Sequence, residues 1–374
     1  MSARTGDRRR HPERGSRVLR LMDRYVGIPL IAMLRLVTHR RRPAGGKHVQ
    51  RAAFLHTAAI GDTVLSSAVI QDFRRAYPAS RVTFFTGSSN YDIACMIPGV
   101  DEVVRLPVTS PLAAIAMIRR SGRFDIWFDL GPWPRLNALY SHFAPASLTV
   151  GFRTEGQHRH YLYDIAAPHS PERHEIENYR ELLRSAGIRD TASLPVLNVQ
   201  AVPPRPRNIV VHMFPGGSRS SAKEWPFQRW VELIDLLTGQ GYTVSLTGAG
   251  SDREGAENVR SRVKLRDRVE IVAGTCSLQE VAGLLMASRL TISVDTGIMH
   301  LASALRCNVV SLHGPTSPKR WGPLNENSVA LESGMACSPC LSLGFEEVCD
   351  RAECMERITV DQVAAASMRF LAGP

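Results

Sequence analysis

Four stretches of this sequence combine side chains that can do chemistry with glycines that let a backbone approach a ligand closely. The first is Ala59-Ile60-Gly61-Asp62-Thr63. Asp62 at an expected helix start could cap that helix by accepting a backbone hydrogen bond. It could equally face a cleft and take the proton of a hydroxyl nucleophile. The second runs from Phe214 to Pro226, with Pro226 expected as the first helical residue. There Gly217, Ser218, Ser220 and Ser221 offer N–H and hydroxyl donors and Lys223 adds a charge, a set suited to a diphosphate. The Gly-Lys-Ser/Thr order of a Walker A loop is absent. The chain has four lysines and 42 arginines, so a lysine here points to a need for a compact ammonium. The third stretch, Gly248 to Glu254, has Arg253 where a dinucleotide fingerprint wants its third glycine. Glu254 could bind a ribose hydroxyl or sit on a solvated helix face. The fourth runs from Ser293 to His300: Asp295 ends a strand, Thr296-Gly297 make the turn, and His300 follows about one helical turn later. Asp-Thr-Gly occurs once, where an aspartic protease needs two such carboxylates.

The apolar patterning says what positions these loops. Strands are predicted at Arg51–Thr57, Val82–Thr86, Glu102–Leu106, Asp125–Asp129 and Leu148–Phe152, with a helix from Gly61 to Arg75. Pro203, Pro204 and Pro206 make a stiff extended hinge. The alternation then restarts with strands at Ile209–His212, Thr243–Thr247, Val269–Val272, Leu290–Val294 and Asn308–Leu312. Helices lie at Pro226–Gln240, Arg253–Val263, Leu278–Ala287 and Ile298–Leu305. Such an order means α/β architecture, with two Rossmann-like domains facing a cleft and ligand loops at the carboxyl ends of parallel strands. The expected divisions are an extension at 1–48, a first domain at 49–203, a second at 204–335, a Cys-rich segment at 336–356 and a C-terminal helix at 357–374.

Composition is that of an ordinary globular chain, 44% hydrophobic and 22% charged over 374 residues. Of the net charge of +11, the first 50 residues carry +10, so basicity belongs to the tail. A nucleic-acid binder would want a basic face on a folded domain, and no nucleic-acid partner is expected. Arg17–Val37 mixes basic and apolar residues, is interrupted by Arg35, and is too short for the roughly 20 apolar residues of a membrane span. It reads as a basic amphipathic helix on an anionic inner leaflet, or else as a helix packed on the body with a frayed basic end. No export signal is evident, which places the chain in the cytoplasm, peripheral at the inner membrane. Cys337, Cys340, Cys349 and Cys354 are spaced for a tetrahedral structural Zn or Fe, or remain free thiols.

Four segments together resemble glycosyltransferase family 9, the lipopolysaccharide heptosyltransferases. They are Ile60-Gly61-Asp62, Pro215-Gly216-Gly217 through Lys223-x-Trp225-Pro226, Ser293 through Gly297 with His300, and His313-Gly314-Pro315-Thr316-Ser317-Pro318. The resemblance covers about residues 50–330 and implies the GT-B fold. It further implies an inverting, metal-independent transfer from ADP-heptose to an anionic glycolipid acceptor, with no cofactor required for catalysis. On this resemblance Asp62 is the general base, with Gly61 beside it on the acceptor side, and Lys223 neutralises the leaving diphosphate. Gly217, Ser218, Ser220, Ser221, Asp295, Thr296, Gly297 and His300 belong to the donor site, and Glu254 matches the ribose-binding glutamate. The helix Val360–Leu371 would cross back to the first domain, as GT-B folds imply. A different nucleotide sugar or acceptor, and a catalytically silent scaffold on the membrane surface, remain the rival readings.

Overall fold

The computed structural model describes residues 23–37, 48–57, 59–217, 219–341, 349 and 351–372. A π-helical turn, Asp23–Gly27, leads into α1 (Ile28–Val37). The first repeat follows: β1 (Arg51–His56), α2 (Ile60–Ala76), β2 (Arg81–Thr86), α3 (Tyr91–Cys95), β3 (Glu102–Arg105), α4 (Pro111–Arg120), β4 (Phe124–Asp129), α5 (Arg135–Phe143), β5 (Ala146–Arg153), β6 (Ile165–Pro168) and α6 (Glu175–Ser185). The second comprises β7 (Arg205–His212), α7 (Phe227–Gly239), β8 (Thr243–Leu246), α8 (Arg253–Arg262), β9 (Val269–Ile271), α9 (Leu278–Ala287), β10 (Ser288–Val294), α10 (Gly297–Ala304), β11 (Val309–His313), α11 (Pro318–Trp321) and β12 (Ser328–Glu332). Helices α12 (Glu353–Arg357) and α13 (Val360–Leu371) close the chain.

Each repeat makes one six-stranded parallel sheet, ordered β3-β2-β1-β4-β5-β6 and β9-β8-β7-β10-β11-β12. Strand order reverses between β1 and β4 and again between β7 and β10, and ligands bind at such switch points. The connection from β1 leads into the first turn of α2, which bears Asp62, and those bearing Lys223 and Asp295 leave β7 and β10. Five consecutive buried residues in β1 and in β2 show why these strands read as continuous apolar runs: helices cover both faces.

One apolar cluster crosses the seam between the sheets. It joins Phe54, Val64, Leu65 and Val69 to Ile298, Met299, Leu301 and Ala302, so α2 and α10 share a core. A second cluster packs Trp225, Trp230 and Leu233 against Met355, Ile358, Val363 and Leu371.

Several expectations need correction. Pro226 precedes α7 as its N-cap residue rather than opening it. Pro206 lies inside β7, in the exposed first part of that strand, so only Pro203 and Pro204 stay in the connector. Helix α13 does not return to the first sheet. It lies on the second, where Tyr242 donates to the Leu371 carbonyl (3.2 Å) and Arg289 to that of Phe370 (2.9 Å). Edge strands β6 and β12 had no distinct sequence signal.

Part of the basic extension is described, and residues 1–22 and 38–47 lie outside the described residues. Helix α1 buries Ile31 against Ala138, Leu162 and Tyr163, and Arg35 stacks over the Tyr161 ring at 4.1 Å. Arg135 pairs with Asp23. The outward face leaves Tyr25, Val26, Met33 and Leu36 at 68, 56, 60 and 84% exposure. The extension therefore packs on the body along one face and presents an apolar face along the other. No helix among the described residues is long and apolar enough to cross a membrane.

Candidate active site

Helix α2 begins at Ile60, with Ala59 as its N-cap at φ 67°, so Asp62 sits within the first turn and is not the cap. A left-handed alanine is strained, and such strain persists where the surroundings hold it in place. The Asp62 carboxylate is half-buried, and its Oδ1 accepts a hydrogen bond from the Tyr179 hydroxyl at 3.0 Å. Burial, reinforced by the charges of Asp62 and Glu175, raises the Tyr179 phenol well above its ordinary value, so it remains a donor.

Gly61 lies where the two halves meet. A Cβ on it would fall 2.7 Å from His300 Cδ2, and one on Gly297 would fall 2.8 Å from Ile60 and 3.0 Å from the Gly61 nitrogen. The seam therefore runs through Gly61, which abuts the Gly297–His300 turn of the second half. The amino ends of α2 and α10 converge here, and both contribute positive potential to one place.

In the second half, Lys223 Nζ donates to the Asp295 main-chain oxygen at 3.1 Å. The Asp295 carboxyl is buried, which alone would raise its pKa. The nearby Lys223, His313 and His300 outweigh that and hold it below the usual range. Burial drives His300 down to about 4, so near neutrality it can offer a hydrogen bond but not a charge. Burial also lowers His313. Lys223 is thus the cation that this turn presents. Thr296 spends its hydroxyl oxygen on capping α10, accepting from the Ile298 N–H at 3.2 Å.

The structure brings Gly61, Lys223, Asp295, Thr296, Gly297 and His300 together, with Asp62 the residue after Gly61. Gly217 and Ser221 lie exposed on the β7 loop with Ser220 half-buried beside them, and Ser218 lies outside the described residues. Glu254 is exposed in the first turn of α8, one strand further out. That turn is held near the β7 loop because Gly248 and Gly255 leave room for the Phe214 ring.

Sequence reasoning missed three participants. Tyr179 reads as an ordinary core residue of an amphipathic helix. Glu175 and Arg320 form a fully buried ion pair across the two halves, with the Arg320 guanidinium 2.9 Å from Glu175 Oε2 and His169 2.8 Å from Oε1. Burial would raise the Glu175 carboxyl, but these partners lower it to about 2. His174 adds a second tie, from its Nε2 to the Gly322 carbonyl at 3.0 Å. Arg320 stands just after the His313–Pro318 segment, the sole hint available.

The cysteines are only partly gathered. Burial and then the neighbouring Cys340 and Cys337 thiols raise Cys354, while Cys349 is exposed. Among the described residues, no three metal-ligating side chains form a ligand set.

Comparison with known proteins gives a consistent picture. Residues 122–348 match the family model described as glycosyltransferase family 9 (heptosyltransferase). Lipooligosaccharide heptosyltransferase 2 of Haemophilus influenzae is 24% identical over 300 residues, 73% of this chain and 85% of that protein. The structure of E. coli ADP-heptose lps heptosyltransferase II superposes with a TM-score of 0.71 at 20% identity, covering 86% of this chain and 99% of that one. An iron-containing dodecameric glycosyltransferase, TibC of enterotoxigenic E. coli, gives 0.56 at 16% identity, over 87% of this chain and 76% of that one. These likenesses establish the GT-B architecture.

Proposed function

The chain belongs to glycosyltransferase family 9, and from that premise we propose that it moves heptose from ADP-heptose to a lipopolysaccharide-core acceptor, with Asp62 as general base. The observation that carries this reading is the meeting of two loops. The helix start bearing Asp62 abuts the Gly297–His300 turn, and Lys223 is fixed to the same turn through the Asp295 carbonyl.

In this reading the acceptor hydroxyl gives its proton to Asp62 as its oxygen attacks the anomeric carbon. The bond from that carbon to the diphosphate oxygen breaks on the opposite face, which inverts the configuration. Lys223 and the amino end of α10 stabilise the charge arriving on ADP. Gly217, Ser220 and Ser221 line the diphosphate side together with the Thr296-Gly297 turn and the nearby His300, Asp295 serves the donor sugar, and Glu254 reaches the ribose. The relatives' names support the donor and acceptor classes.

Two further parts of the reading concern the periphery. The outward face of α1, flanked by most of the chain's net positive charge, suits an anionic membrane surface where such an acceptor lies. The four clustered cysteines suit a structural iron or zinc, a reading supported by their number, their spacing and the iron named for TibC. Metal analysis of protein purified without chelator tests it; substoichiometric metal removes it.

The central test pairs thermal stabilisation by nucleotide sugars with product formation. A donor bound at 100 times its Kd adds about 2.7 kcal/mol to stability. ADP-heptose should stabilise the protein and yield heptosylated acceptor. Stabilisation by another nucleotide sugar alone would reassign the donor, and an Asp62→Ala variant with normal turnover would remove the base.

A further inference from the structure

Helix α6 grips α2 at two successive positions. Arg180 Nε donates to Asp72 Oδ2 at 3.2 Å, and the Tyr179 hydroxyl donates to Asp62 Oδ1 at 3.0 Å. The first contact is between fully paired groups remote from the seam, since Asp72 also accepts from Thr191 and Ser193. The second ends on a half-exposed carboxylate beside Gly61.

A buried hydroxyl costs free energy unless it is hydrogen-bonded, and the Tyr179 ring would pack as well without one. The ring contacts Phe152 and His56, with centroids 6.3 Å away in each case. A phenylalanine would keep those contacts, so what the hydroxyl adds is its hold on Asp62.

The other end of α6 is anchored in the second half of the molecule. Glu175 is bound to Arg320, and His174 to the Gly322 carbonyl. Glu175 and Tyr179 are four residues apart and share a helix face. The element that fixes Asp62 is thus itself fixed to the half that carries Lys223.

We propose that Tyr179 is a positioning residue for Asp62, its hydroxyl fixing the orientation in which that carboxylate meets the acceptor hydroxyl. The inference rests on Asp62 acting as general base. Tyr179 donates one hydrogen bond and exchanges no proton in the reaction.

The test is a double-mutant cycle of Tyr179→Phe and Asp62→Asn in the full chain, with kcat, donor KM, ADP affinity and thermal midpoint measured for each. Tyr179→Phe should lower kcat by roughly 10- to 100-fold, the range for losing a hydrogen bond to a charged group. Donor KM and ADP affinity should stay within about twofold, an approximate margin for an interaction made outside the donor site. In the Asp62→Asn background the same substitution should cost nothing further. An unchanged kcat in Tyr179→Phe, beside an Asp62→Asn variant that has lost activity, overturns the positioning role and leaves the base in place. A full loss that persists in the Asp62→Asn background also overturns it, because the hydroxyl then acts through packing. Normal turnover in Asp62→Asn overturns both readings. Should Tyr179→Phe lower the midpoint too far for assay, Tyr179→His, which keeps a ring and an N–H donor, serves instead, and an activity as low as that of Asp62→Ala overturns the role.

Discussion

Gly61 and Gly297 come from helices in different halves of the molecule and press their backbones together, with a Cβ on Gly297 only 3.0 Å from the Gly61 nitrogen. Both are early helical residues, and alanine in an open helix would gain about 1 kcal/mol over glycine. Here overpacking outweighs that gain, because a Cβ on Gly297 would fall 2.8 Å from Ile60 Cβ and 3.0 Å from the Gly61 nitrogen, atoms that cannot move without α2. Gly297→Ala should therefore destabilise by about 1–3 kcal/mol and part the two loops. Urea unfolding and kcat/KM check this, and a variant as stable and active as the parent would refute the tight seam.

Lys223 is a cation fixed to the Asp295 turn through that residue's carbonyl oxygen. Lys223→Met should cut kcat/KM by about 10²–10³-fold, the scale for removing a preorganised group that stabilises developing charge. Lys223→Arg should restore little, since a planar fork does not replace a compact ammonium. Steady-state kinetics and ADP titration are the measurements.

Acid should destabilise the fold through its buried histidines. His300 and His212 fall from the ordinary 6.5 to about 4 in the folded protein, mainly through burial. Between those values the unfolded chain binds protons that the folded one refuses, so stability falls as pH drops from about 6.5 toward 4. Glu175, held at about 2 against 4.5, adds a further loss as pH falls below 4.5. Thermal midpoints across pH 4–7 test the first window, and a flat profile would contradict the buried, neutral histidines.

Glu175→Gln leaves Arg320 buried opposite an uncharged amide. Breaking a buried pair from one side typically costs about 3–5 kcal/mol. The same change should weaken the tie between the halves, seen as raised hydrogen exchange in α6 and α11. Unaltered stability and exchange would show that water or His169 carries the load.

The exposed face of α1 should matter only at a membrane. Met33→Glu with Leu36→Glu should leave activity on a soluble acceptor unchanged and weaken binding to anionic vesicles. Deleting residues 1–22 should weaken it further, by about 1 kcal/mol per basic residue near the surface. Vesicle co-sedimentation at two salt concentrations decides, and equal binding by all forms would remove α1 from the interface.

Local order was legible in the sequence because it rests on local physics. Apolar period and glycine placement marked β1, β7 and β10 and the helices after them, and so located Asp62, Lys223 and Asp295 in the connections beyond the carboxyl ends of those strands. Edge strands β6 and β12 escaped because four or five half-covered residues carry little periodic signal. Which groups meet across the molecule was settled only by tertiary packing. Tyr179 and Asp62 are 117 residues apart, and Glu175 and Arg320 are 145 apart. Nothing in the sequence near Tyr179 sets it apart from the apolar residues it packs among. The side on which α13 lies was likewise fixed by apolar surface, since Val363 and Leu371 find their cover on the second sheet. Patterns along a chain record which face of an element is buried; the partner that buries it is chosen by the assembled shape.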